Sequence, residues 1–99
     1  MKVLIEAPFD INDGDKKNIE EKLNKLTTFF NKITQATVYF KKDDGNEPDS
    51  ILAEVEVHVP GPPIFASASE QQFMNAFNSA VVKVEKQLRK KNDKLVEHH

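Results

Sequence analysis

Apolar and polar residues repeat along this chain with two periods, and the period predicts which segments are strands and which are helices. A short apolar run at residues 3–5, followed by Pro8, predicts a first strand. Asn12 is the predicted N-cap of a helix whose first turn carries Asp13 and Asp15, where the helix dipole favours negative charge. Apolar residues then recur at spacings of four, three, four and three, which predicts a single buried helical face made of Ile19, Leu23, Leu26, Phe30 and Ile33.

A period of two begins at Gln35 and predicts three further strands. Residues 36–41 and 54–59 alternate between apolar and polar side chains, and residues 64–68 form a shorter segment of the same kind. Residues 43–50 have the composition of a turn, and the prolines of residues 60–63 favour a reversal because proline cannot donate to a ladder. Ser69 is the predicted cap of a second helix over about residues 70–93, whose apolar face contains Phe73, Phe77, Val81, Val84 and Leu88.

The resulting element order is β-α-β-β-β-α, which predicts an α+β fold. Three consecutive strands favour antiparallel hairpins, and both helices need a surface for their apolar faces. We therefore expect a four-stranded mixed sheet with two helices packed on one face. The first two strands should be parallel, through a right-handed crossover. At 99 residues the chain is expected to be a single domain spanning residues 1–99.

Composition narrows the function classes. The chain has no cysteine, which excludes disulfides and thiolate metal sites and suits a reducing cytoplasm. The apolar run near the N-terminus is too short for a signal peptide or a membrane span, so no membrane partner is expected. The formal net charge of -2 argues mildly against a general nucleic-acid coat protein.

Cations are nevertheless concentrated on the second predicted helix. Residues 83–94 contain six Lys or Arg and two acids. Four of the lysines fall within a stripe about 80° wide, because helical residues are about 100° apart. This basic stripe consists of Lys83, Lys86, Lys90 and Lys94. Local potential can let an acidic protein bind a polyanion, but the charge pattern alone leaves a solvated helix face equally open.

Other candidate sites have weaker support. No arrangement suggests a nucleophile with its base, so the chain is not expected to be an enzyme, and no cofactor or catalytic residue is predicted. His58 lies beside Glu54 and Glu56 on an outward strand position, which is typical of a solvated charge pattern. The acidic turn does not have calcium-loop spacing, and the terminal pair His98 and His99 is as consistent with a tag remnant as with a ligand pair, so no metal site is predicted.

The uncovered face of the predicted sheet offers an alternative. Tyr39 and Phe65 are both expected there, which raises the hypothesis that they stack on RNA bases, as in RNA-recognition-motif domains. That fold has the order βαββαβ and carries the RNP aromatic motif, which is missing from this chain. Exposed aromatic residues on a sheet are also ordinary cross-strand partners. Two alternatives stay open: a protein-interaction module that uses this face, and a general double-stranded RNA-binding domain, which shares a βββα tail.

Several segments together resemble the ribosome hibernation promoting factors and their relative, the ribosome-associated inhibitor. The likeness runs across essentially the whole chain and rests on residues 10–12, 21–33, 58–61, 65–68 and 86–95. The family's βαβββα fold matches the predicted order. The chain departs from the family at Gln72, Phe73 and Met74, where an Asp-Met-Tyr-like sequence is common. Because the chain ends after the second helix, the resemblance favours the short promoting type.

The resemblance implies a cytoplasmic protein, monomeric off the ribosome, that binds the small ribosomal subunit in the channel for messenger and transfer RNA. It would block translation in stationary phase, and some such proteins act with a second small factor to form ribosome dimers. The partner surface would be ribosomal RNA. The implied RNA-binding residues are Lys22, Lys25, Lys83, Lys86, Arg89, Lys90, Lys91 and Lys94.

Overall fold

The predicted order β-α-β-β-β-α is confirmed in the computed structural model, which describes residues 1–43 and 49–97 and the side chains of these up to residue 91. The strands are β1 (Lys2–Glu6), β2 (Gln35–Lys42), β3 (Ile51–His58) and β4 (Ile64–Glu70), and the helices are α1 (Asp13–Lys25) and α2 (Phe73–Glu97). A 3₁₀ turn at Leu26–Thr28 follows α1 directly. The third strand thus ends one residue before Val59, which the alternation had included.

The sheet is mixed, as predicted. Its strands are ordered β1-β2-β3-β4, with β1 parallel to β2 and the other two pairs antiparallel. Both helices cover the same face, because their buried residues share one cluster with the inward side chains of the strands. The strands supply alternate residues to that cluster, including Val38, Val55, Val57 and Ala66. The opposite face of the sheet carries no helix in the described part of the chain.

The core lies between α2 and the sheet and continues under α1. Phe77, Val84 and Leu88 of α2 are fully buried, as are Ile19 and Leu23 of α1. Burying a side chain of this size stabilises the fold by about 1.5–3 kcal/mol, so this layer supplies much of the free energy of folding.

An aromatic cluster closes one end of the core. Phe73 of α2 packs against Phe9 and Phe40, with ring centroids 5.1 and 5.4 Å away, and the latter pair is edge-to-face. Phe9 and Phe40 are themselves 5.8 Å apart. Such pairs contribute about 0.5–1.5 kcal/mol beyond their buried area. Phe73, one of the three residues at which this chain departs from the family pattern, therefore has a packing role.

The start of α1 was predicted correctly and its end was not. Asn12 is the N-cap, and its side-chain oxygen accepts from the backbone N–H of Asp15 at 2.7 Å. The helix ends at Lys25 rather than continuing to residue 33. The hydroxyl of Thr27 donates to the carbonyl of Asn24 and that of Thr28 to the carbonyl of Lys25, both at 2.7 Å. Threonine hydroxyls that bond to the backbone in this way compete with the regular helix, and Phe30 and Ile33 are buried by the segment after the turn.

Ser69 does not cap α2, contrary to the prediction. It pairs with Leu52 as part of β4, and its hydroxyl donates to the carboxylate of Asp43 at 2.7 Å. Continued pairing with β3 carries β4 to Glu70, so α2 begins only at Phe73 and runs to Glu97. Most of the predicted turn, residues 44–48, and the terminal pair His98 and His99 lie outside the described residues.

Candidate nucleic-acid interface

The cations of α2 lie on different sides of that helix. Asn78 and Arg89 are about 20° apart around the helix axis, whereas Lys83 is more than about 100° away from both. Hydrogen bonds and ring contacts show what each side meets. One flank borders the edge strand β4, and the other faces α1 and the turn that follows it.

The basic stripe borders β4. Lys83 Nζ donates to the carbonyl of Ser67 at 2.7 Å, and Gln87 Nε2 donates to the carbonyl of Phe65 at 2.9 Å. These carbonyls are two residues apart on an edge strand, matching the one-turn spacing of the two donors on α2. Lys83 is still exposed, and an ammonium has three donors, so this bond orients the group without using all of it.

Lys86 and Lys90 are the open members of the stripe. Both are exposed, and no carboxylate in the described part of the chain forms an ion pair with either. Lys86 lies about 60° from both Lys83 and Arg89, at the crest of the helix between its two flanks. The backbone of Lys94 belongs to α2, and its side chain lies outside the described ones.

Two of the four lysines of α1, Lys22 and Lys25, sit in its last turn. Lys22 Nζ donates to Oδ1 of Asn78, which links α1 to the α1-facing flank of α2. Lys25 is exposed one turn later. Cations at this end of a helix complement the macrodipole, so both lysines also have a local reason to be there. The structure therefore brings Lys22 beside α2, on the flank opposite Lys83.

Aromatic rings position the two cations that lie off the axis of the stripe. The guanidinium of Arg89 lies 4.7 Å from the ring centroid of Phe29. Lys91 Nζ lies 5.9 Å from the centroid of Phe30. Both distances are within the range of a cation–π interaction. Arg89 and Lys91 are thus the α2 cations that approach the segment after α1.

The uncovered face of the sheet has a different electrostatic character. Lys41 Nζ lies 2.6 Å from Oε1 of Glu54, and His58 Nε2 lies 2.8 Å from Oε1 of Glu56. The hydrogen bond to Glu54, together with attraction to its charge, raises the pKa of Lys41 above its ordinary value. On this face Lys41 is therefore paired with Glu54, whereas Lys86 and Lys90 of α2 have no carboxylate partner in the described part of the chain.

The described part of the chain has neither a metal-binding cluster nor a membrane-spanning helix. Among the described side chains, those of residues 1–43 and 49–91, no group of three or more His, Asp or Glu lies close enough to hold a metal ion. Neither described helix has a stretch long and apolar enough to span a membrane.

Three side chains that matter for this surface were not singled out from the sequence. Asn78 accepts a hydrogen bond from Lys22, and Gln87 donates one to the edge of β4 beside Lys83. The ring of Phe29 makes a cation–π contact with Arg89. The positions of Asn78 and Gln87 on the helix flanks follow from helical periodicity, but their partners depend on how the helices sit on the sheet. Phe29 precedes a buried phenylalanine and has no periodic signal of its own.

Comparison with known proteins identifies relatives over nearly the whole chain. The family model described as Sigma 54 modulation protein / S30EA ribosomal protein matches residues 7–96. A ribosome hibernation promoting factor from Klebsiella oxytoca is 32% identical over 89 residues, which is 90% of each protein. Its counterpart from Escherichia coli K12 is 30% identical with the same coverage.

Solved structures show the same fold. A ribosomal subunit interface protein from Coxiella burnetii superposes with a TM-score of 0.79 at 20% identity, covering 94% of this chain and 99% of that one. The N-terminal domain of Protein Y from Thermus thermophilus gives a TM-score of 0.74 at 22% identity, covering 91% and 98%. With the family match over residues 7–96 and the 32% identical relative, the chain belongs to the Sigma 54 modulation protein / S30EA ribosomal protein family.

Proposed function

We propose that this protein is a cytoplasmic ribosome hibernation factor that binds the small ribosomal subunit in its messenger and transfer RNA channel and so blocks translation. The names of its curated relatives support a ribosome-associated role. The observation that carries the proposal to this chain is the exposure of Lys86 and Lys90 on α2, next to Arg89, with no carboxylate partner for either among the described residues.

The proposed mechanism is occlusion by a rigid, shape-fitted body. Lysine ammonium groups bind phosphates without reading bases, and folded RNA is recognised mainly by shape and backbone. Arg89 and Lys83 are held by Phe29 and Ser67, so the protein loses little side-chain entropy in presenting them. Such a block requires no turnover, which agrees with a non-enzymatic role.

The remaining proposed contacts extend this surface at both sides. Lys22 and Lys25 would extend it from α1, and Lys91 and Lys94 from the end of α2. Lys83 would contribute from the β4 flank with the donors that its bond to Ser67 leaves available.

Sedimentation through sucrose with purified small subunits tests the proposal. The variant is Lys86→Glu with Lys90→Glu, and the matched control is Lys2→Glu with Lys42→Glu, which makes the same charge change at two exposed positions of the sheet. We expect the α2 variant to lose at least about tenfold in affinity, because each glutamate removes a phosphate contact and also repels the phosphate. The control should keep most of its binding. Equal losses in the two variants would show that overall charge matters and the α2 surface does not.

The same gradients test ribosome dimerisation. Addition of the protein to whole ribosomes, with and without a second small hibernation factor, reports any peak heavier than a single ribosome. A translation assay run in parallel should show inhibition that the α2 variant relieves. Binding without inhibition would contradict occlusion of the channel.

A second candidate function uses the uncovered sheet face to bind a protein. Phe65 is 47% exposed and Leu4 is 39% exposed on that face. This model predicts binding that survives moderate salt and is lost with Tyr39→Ala or Phe65→Ala rather than with the α2 variant. A naked RNA duplex added to the sedimentation assay tests general duplex binding. If the protein binds any duplex, the added RNA should compete with the small subunits for the protein as well as free subunits do.

A further inference from the structure

A cleft lies where α2, the segment after α1 and the turn after β3 meet. Its volume is about 700 Å³, within the usual range for a small-molecule site. Its lining includes the aromatic residues Phe29 and Phe30, the ring of Pro60, and two lysines, Lys32 and Lys91. No described residue that lines this cleft carries a carboxylate.

The walls combine an aromatic platform with fixed cations. Phe29 is half-buried, and Arg89 approaches its ring to 4.7 Å. Lys91 Nζ lies 5.9 Å from the ring centroid of Phe30 and 3.7 Å from where a Cβ on Gly61 would be. Lys91 is therefore held between two chain segments, although it is only one helical residue from solvent-exposed Lys90.

The polar groups of the cleft favour a ligand that donates hydrogen bonds. The hydroxyls of Thr27 and Thr28 already donate to backbone carbonyls of α1, so toward the cleft they can only accept. The exposed amide of Asn31 can both donate and accept. A nucleotide offers what these walls require: a π-face for the ring, donors on the base or the ribose, and a phosphate for the lysines.

We propose that this cleft binds one unpaired ribonucleotide, with its base against Phe29 and Pro60 and its phosphate on Lys91 and Lys32. This rests on the proposed function, because it makes the cleft the end of the RNA-binding surface. Arg89 connects the two, since it lies on α2 near Lys86 and on the ring of Phe29. A protein loop with an acidic side chain would use the lysines but would not place a second planar group on the ring of Phe29.

Amide chemical shifts of the free protein test the cleft without the ribosome. Adenosine monophosphate and inorganic phosphate are titrated at equal ionic strength. We expect the nucleotide to shift residues 27–32 and Lys91 with saturation, and phosphate alone to shift Lys91 and Lys32 more weakly. Equal responses to the two ligands, or nucleotide-induced shifts confined to the sheet face, would overturn the proposal.

Two variants separate stacking from charge. Phe29→Leu keeps an apolar side chain and should weaken nucleotide binding about fivefold or more, the smallest effect expected from loss of a base–aromatic stack. Phe65→Leu is the matched control on the opposite face and should leave it unchanged. Lys91→Gln should reduce the difference in binding affinity between the nucleotide and the nucleoside, which lacks the phosphate. Thermal unfolding of each variant shows whether the fold is retained, and a folded Phe29→Leu protein with unchanged nucleotide affinity would contradict the proposal.

Photo-crosslinking on the subunit identifies the natural occupant. A diazirine amino acid at exposed Asn31 should crosslink to ribosomal RNA, whereas a crosslink to a ribosomal protein would replace the nucleotide with a protein partner. The two proposals fail separately. Subunit binding without any nucleotide response in the cleft refutes the cleft alone, and nucleotide binding without subunit binding refutes the proposed function alone.

Discussion

At the scale of single residues, burial and exposure separate the roles of the phenylalanines. Phe77 is fully buried at the centre of the core, Phe65 is 47% exposed on the uncovered sheet face, and Phe29 is half-buried under Arg89. The same side chain thus serves packing, an open surface and the support of a cation. Helical spacing alone predicts the first of these roles, because only Phe77 belongs to a long apolar repeat.

The core role gives the first prediction. Phe77→Ala should lower the free energy of unfolding by about 3–5 kcal/mol, through lost transfer energy and the cavity left behind. A small domain has only about 5–15 kcal/mol in total, so the variant should melt at a much lower temperature. Chemical denaturation followed by circular dichroism measures the difference. Phe65→Ala is the control, and a similar loss there would show that the uncovered face is packed against something.

At the scale of elements, local side-chain chemistry decides where helices end. The repeat of apolar residues through Ile33 predicts a helix longer than α1, because periodicity records which residues are buried and not which backbone buries them. The structure ends α1 at Lys25, where the hydroxyls of Thr27 and Thr28 bond to carbonyls of its last turn and a 3₁₀ turn follows. Ser69 is equally plausible as a cap by residue type, but strand pairing with Leu52 takes it into β4. Long-range pairing is not visible in local sequence.

The basic stripe shows the same limit for the interface. Helical periodicity correctly places Lys83, Lys86 and Lys90 on one side of α2. It does not reveal that this side borders β4, while Arg89 reaches the segment after α1. Which flank faces which neighbour depends on the rotation of α2 over the sheet. Residues such as Asn78 become recognisable as partners only after that rotation is known.

The contact between α2 and β4 gives the second prediction. An edge strand exposes unpaired backbone groups and can recruit another chain, and Lys83 and Gln87 occupy two of the outward carbonyls. The double substitution Lys83→Ala with Gln87→Ala should destabilise the protein by about 1 kcal/mol and promote concentration-dependent association. Light scattering over a concentration series measures the association.

The matched control for that edge is Lys86→Ala with Lys90→Ala, which also removes two long side chains from the same helix. These side chains make no described hydrogen bond to β4, so the control should stay at the mass of the parent protein. If both variants associate to the same extent, the contacts of Lys83 and Gln87 do not protect the β4 edge from pairing with another chain.

At the scale of the whole molecule, charge is distributed unevenly over a thin body. The protein measures 49 × 29 × 18 Å and has a formal net charge of -2. Its 25-residue helix α2 is about 37 Å long, so it runs along most of the longest dimension. Cations on this helix can meet a polyanion through their local potential, although the whole chain is slightly acidic.

That asymmetry gives the third prediction. The logarithm of the association constant for small subunits should fall linearly with the logarithm of salt concentration, by about 0.7–0.9 for each phosphate neutralised. Removing two contacts with Lys86→Gln and Lys90→Gln should therefore reduce the magnitude of the slope by about 1.5. The matched variant Lys2→Gln with Lys42→Gln changes the net charge equally and should leave the slope as it is. An unchanged slope in the α2 variant, with the protein folded, would mean that phosphates are contacted elsewhere, and a slope near zero for the parent protein would favour the uncovered sheet face as the binding surface.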